Sequence, residues 1–117
     1  MKKENQVQVV VGVIPNSNKE ILVTQRPLQK SYSGYWEFPG GKIEKNESAY
    51  EALIRELKEE LDIDVQAALH WKKLEYIYPE KTVNLDLWIV TKFSRELKSM
   101  EQQAFQWVAL ENLSAVY

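Results

Sequence analysis

Arg55, Glu56, Glu59 and Glu60 crowd into six consecutive positions. At about 100° per residue, a helix would place the three glutamates within an arc of roughly 100°. That arc borders an apolar face made by Tyr50, Leu53, Ile54, Leu57 and Leu61. Side chains at the border of a buried face have little freedom, and three carboxylates held there repel one another. A divalent cation that prefers oxygen ligands would relieve the repulsion. Mg²⁺ is the natural candidate, with Mn²⁺ as a substitute, and such ions are commonly shared with phosphates. The same residues also suit a solvated helix face with ordinary pairs such as Arg55 with Glu59. Taken alone, the cluster leaves both readings open.

The elements that would position this cluster can be read from the pattern. Ser48 followed by Glu51 is a capping box, and the apolar spacing after it predicts a helix from Ala49 to about Leu61. Gln6 to Ile14 and Glu20 to Thr24 read as strands around the turn Pro15-Asn16-Ser17-Asn18, and are expected to pair as a hairpin. Pro27 to Tyr35 reads as a loop. Trp36-Glu37-Phe38 is a short aromatic strand ended by Pro39-Gly40-Gly41. Strand signals are weak from Val65, stronger over Leu74–Tyr78 and Val83–Phe93, and return at Phe105–Leu110. Such a mixture gives an α+β class with a mixed sheet, in one domain spanning 1–117.

The context of the cluster is more specific than the cluster. Gly41-Lys42-Ile43-Glu44-Lys45-Asn46-Glu47 is followed, after seven residues, by Arg55-Glu56-Leu57-Lys58-Glu59-Glu60 and then Leu61-Asp62-Ile63. This resembles the Nudix box, and only Asp62 departs from it, standing where the family has glycine. The resemblance extends from the first strand to Trp107, through Trp36–Glu44, Ile21–Arg26, Lys73–Tyr76 and Met100–Trp107. It is strongest to the branch of the family that acts on 8-oxo-dGTP.

That resemblance implies a Nudix fold, an α/β/α sandwich with a curved mixed sheet. It implies Mg²⁺-dependent hydrolysis of a nucleoside triphosphate to a monophosphate and pyrophosphate. Glu56, Glu59, Glu60, the Gly40 carbonyl and Glu101 are then the expected metal ligands. Glu56 is the first choice for the general base and Glu101 the second, while Arg55 orients a glutamate by a charged hydrogen bond. Glu47 either binds the backbone or the metal shell, or is an N-terminal carboxylate favoured by the helix dipole. Arg26 and Lys42 are expected on phosphates. Phe38 and Tyr78 either line the base pocket or belong to the core, and Lys81 lies near the base. Trp36, Trp71, Trp88 and Trp107 read as core or structural, and His70 as a residue without a catalytic role. Another nucleotide such as CTP is an alternative substrate. A non-catalytic nucleotide-binding module is disfavoured because every box glutamate is present.

Composition narrows the classes. A net charge of −2 argues against direct nucleic-acid binding, which needs clustered positive charge. There are no cysteines, so disulfides and thiolate chemistry are excluded, and a reducing cytoplasm suits the chain. The N-terminal region lacks a long apolar stretch, so no membrane segment is expected. The family resemblance also implies a second helix after the last strand, in a segment that reads the base. The sequence stops at Tyr117, just after Leu110-Glu111-Asn112-Leu113. The expectation is therefore a sandwich lacking its C-terminal helix, with an uncovered sheet face that favours a homodimer and weakened base selectivity.

Overall fold

The fold is seen in a computed structural model that describes residues 5–25, 36–100 and 103–115. Arg26 and Glu101, and the loop read at 27–35, lie outside the described residues. In chain order the elements are β1 (Gln6–Val13), β2 (Glu20–Gln25), β3 (Trp36–Glu37), β4 (Gly40–Lys42), α1 (Ala49–Leu61), β5 (Asp64–Ile77), β6 (Thr82–Ser94) and β7 (Phe105–Ala109), followed by a 3₁₀ helix (Leu110–Ala115). Among the described residues α1 is the one α-helix, as the α+β reading requires.

The strands form two sheets. One has the order β4-β1-β6-β5 and is mixed, with β1 parallel to β6 and the other pairs antiparallel. The other is antiparallel, in the order β3-β2-β7. The expected β1–β2 hairpin is not formed. A strand has two edges, and both edges of β1 are taken by β4 and β6 while both edges of β2 are taken by β3 and β7. What survives of the hairpin is a bridge between Pro15 and Ile21, where the chain passes from one sheet to the other.

Helix α1 packs on the face of the first sheet that carries Val10 and Gly12. Leu53 and Leu57 lie directly over Gly12, and with Val10, Ile14, Leu22, Leu61, Ile63 and Val90 they form the buried core. The Tyr50 ring leans on Trp88 with centroids 5.3 Å apart. Strand alternation sends Val11, Val13 and Leu87 to the opposite face. That face is closed at its centre, where these three are only 7%, 8% and 5% exposed. Its open part follows β5, where Leu69 and Tyr76 are 64% and 50% exposed, so the uncovered region is smaller than expected.

The helix ends confirm the sequence signals. Ser48 Oγ accepts from the Glu51 amide, and Glu51 accepts in return from the Ser48 amide. Asp62 adopts the left-handed conformation, with φ 59°. A glycine would take that conformation without strain. Aspartate offsets the cost through its partners: Arg95 donates to both its carboxylate and its carbonyl, at 3.0 and 3.1 Å. The Arg95 guanidinium holds the Asp62 carboxyl below its ordinary value.

Candidate active site

Strand β4 runs beside β1, and α1 crosses over it, so the glycine turn and the acidic edge of the helix meet. Gly41 has no side chain to keep them apart. A methyl group added there would fall on the Glu56 carboxylate. One turn further on, the Gly40 amide donates to Glu60 Oε1 at 3.2 Å, and the Gln103 side-chain amide donates to Glu60 Oε2 at 3.0 Å. Glu60 is only 7% exposed, so its orientation is fixed by these bonds. Glu59 sits further out, with its side chain 54% exposed. Among the described residues, no three acidic or histidine side chains converge into a preformed metal cage.

Arg55 ties the patch together. Its Nε and Nη2 donate to the two oxygens of Glu47 at 2.7 and 2.9 Å, a bidentate fork. Nη1 reaches Glu56 at 3.0 Å and, more weakly, Glu59 at 3.4 Å. Nη2 also donates to the Lys42 carbonyl at 3.0 Å, which fastens the helix to β4. The expected partner of Arg55 was Glu59, one turn away. Its strongest partner is Glu47, which precedes the helix and also accepts from the Glu44 amide.

The Glu47 carboxyl is held down at about 2 by the Arg55 guanidinium and the Glu44 amide. Because the folded value lies below the ordinary 4.5, the folded protein binds this proton more weakly than the unfolded chain. The resulting stability is fully present above pH 4.5 and disappears as pH falls toward 2. Urea unfolding followed across that window should show Glu47→Gln with a flatter pH dependence than the parent. Identical slopes would remove the assignment.

The other expected residues are dispersed. Lys42 is exposed and contributes its carbonyl to Arg55. Phe38 is half-buried beside the glycine turn. Tyr78 and Lys81 close the β5–β6 turn through mutual backbone bonds, and Tyr78 is 43% exposed. Gly41, Val10, Asp86 and Lys73 share one row of the sheet. The tip therefore lies about 17 Å along the strands and about 14 Å across them from Gly41. The structure does not bring Tyr78 and Lys81 to the glutamate edge. Trp71 also differs from expectation: it is 49% exposed beside a register shift in β5, with Lys72 over its ring at 4.6 Å. His70 is partly exposed and lies 2.7 Å from Asp86.

Sequence reasoning missed Gln103. It lies far from the box in sequence, and a buried amide leaves no periodic trace.

The donor set suits a divalent metal. Glu47, Glu56 and Glu59 pair with the single positive charge of Arg55, Glu60 lies one turn on against the Gly40 amide, and every potential ligand is an oxygen. The bare Gly41 backbone leaves Glu56 room to turn toward a ligand without meeting a side chain. An acidic edge wedged on a glycine turn, in a fold of this order, defines a divalent-metal hydrolase of the Nudix class. The NUDIX domain family matches residues 6–116, and the chain belongs to that family.

Its relatives are equally direct. It is 39% identical to the 8-oxo-dGTP diphosphatase of Escherichia coli (strain K12), over 98% of this chain and 87% of that protein. It is 37% identical to the CTP pyrophosphohydrolase of the same organism, over 90% of this chain and 77% of the other. The crystal structure of the MutT protein from Methanosarcina mazei Go1 superposes with a TM-score of 0.85 at 26% identity, covering 100% of this chain and 86% of that one. The chain is thus a hydrolase acting on phosphorus-containing anhydrides.

Proposed function

We propose that this enzyme hydrolyses 8-oxo-dGTP to 8-oxo-dGMP and pyrophosphate, using Mg²⁺ or Mn²⁺ held by Glu56, Glu59 and Glu60 with the Gly40 carbonyl and Glu101. The observation that carries this reading is the Arg55-bound acidic edge seated on the Gly40–Gly41 turn. The bound ion supplies charge neutralisation at the phosphate oxygens and makes the attacking water more acidic. Glu56 takes the proton of that water as its oxygen bonds to phosphorus, and the bridging phosphorus–oxygen bond breaks to release pyrophosphate. Arg55 aims Glu56. Arg26 and Lys42 hold phosphates, and Phe38 engages the nucleoside once substrate is bound.

The relative that acts on CTP supports a second substrate. Pyrophosphate release from 8-oxo-dGTP, dGTP and CTP, with and without Mg²⁺, separates the two. Preference for the oxidised nucleotide over dGTP is expected, and equal rates on those two would remove it. No described helix is long and apolar enough to cross a membrane, and we place the activity in the cytoplasm, where the nucleotide pool is. The open apolar strip at Leu69 and Tyr76 supports pairing with a second copy, and light scattering that reads a monomer would exclude it.

A further inference from the structure

Three segments distant in sequence meet at one carboxylate. Glu60 accepts from the Gly40 amide through Oε1 and from the Gln103 amide through Oε2, so both of its oxygens are oriented. Gln103 is itself 7% exposed, and its main-chain carbonyl accepts from the Ser99 hydroxyl. On the helix side, the Met100 amide donates to the Glu60 carbonyl at 3.0 Å and the Lys98 amide donates to the Leu61 carbonyl at 2.9 Å. The segment after β6 is therefore fastened to the last turn of α1 by its backbone, satisfying carbonyls that a helix end leaves free. The Gln103 side chain adds a bond from this segment to the carboxylate. The backbone bonds hold the segment in place, and the amide has a separate job.

We propose that Gln103 is a positioning residue for the metal site: its amide fixes the Glu60 carboxylate in the orientation that a divalent cation requires. This rests on reading Glu60 as a metal ligand. A metal-bound group is held by its outer partners, and losing such a partner typically costs about 10–100-fold in metal affinity or activity. An amide suits this position because it donates to Glu60 without adding charge. A lysine there would compete with the cation, and a carboxylate would repel Glu60.

The test is direct Mn²⁺ binding to the substrate-free protein, read by the electron paramagnetic resonance of free Mn²⁺. Gln103→Met keeps length and apolar bulk but removes the donor. It is expected to weaken Mn²⁺ binding by about tenfold or more, and to lose activity that excess Mn²⁺ restores with little change in nucleotide KM. Gln103→Asn keeps a buried amide but is one methylene short of Glu60, so it should fold even if the methionine variant does not, and should weaken Mn²⁺ binding similarly. In the Glu60→Gln background either substitution should have no further effect on Mn²⁺ affinity. Parent-like Mn²⁺ affinity in Gln103→Asn, or full additivity with Glu60→Gln, would overturn the proposal while leaving the metal site standing. A parent protein in which Glu60→Gln leaves Mn²⁺ binding unchanged would instead overturn the reading of Glu60 as a ligand, and this proposal with it.

Discussion

Glu56→Gln should lower kcat for 8-oxo-dGTP by about a thousandfold, within the 10²–10⁴ range typical of a positioned general base. The substitution preserves volume and leaves an oxygen for Arg55, which now contacts Glu56 at 3.0 Å. It removes the negative charge and the ability to take a proton from water. Stability should change little, because the substitution keeps the side chain's volume and Arg55 keeps its stronger fork on Glu47. Pyrophosphate release measures the first effect and thermal unfolding by circular dichroism the second. A loss of less than tenfold would move the base role to Glu101, and the matching Glu101→Gln variant would then show the larger drop. Loss of activity together with loss of the folded signal would mean that Glu56 holds the structure instead.

The site was legible in the sequence where its residues are local. A helix repeats at a fixed angle, so the positions of Glu56, Glu59 and Glu60 along one edge of α1 follow from spacing alone. The capping box at Ser48 is equally local and stands as read. What spacing cannot show is which residue is held by which. Arg55 chose Glu47, eight positions away and outside the helix, over the nearer Glu59. Gln103 reaches Glu60 across 43 positions.

Sheets obey the same rule. The two halves of β5 looked like a weak strand and a strong one because register shifts near Ala67 and Trp71 break the alternation that marks a strand. Gly40 and Gly41 read as a strand terminator, yet they pair with β1 as β4. Their local preference is for turns, and the partner strand overrides it.

The two glycines of that turn offer the sharpest separation of folding from chemistry. Gly40 has φ +154°, and a methyl group on it would strike the Val10 carbonyl, a backbone atom of a fully buried strand residue. Neither partner can move without opening the β1–β4 ladder. Gly40→Ala should therefore cost about 3 kcal/mol or more, combining backbone strain with lost pairing. Gly41 differs in what it faces. Its added methyl would first meet the carboxylate of Glu56, the far end of a flexible side chain. The fold can absorb that by turning Glu56 aside, so Gly41→Ala should lose about 1 kcal/mol or less in urea unfolding. The chemistry cannot absorb it, since displacing a reacting group by about 1 Å can cost about a hundredfold in rate. A stable Gly41→Ala protein with activity down by that factor, beside an unstable Gly40→Ala protein, is the expected pair. Adding Glu56→Gln to Gly41→Ala should then cost much less than it does in the parent, because both changes disable the same carboxylate. Full activity in Gly41→Ala would mean that the placement of Glu56 against the turn has no part in catalysis.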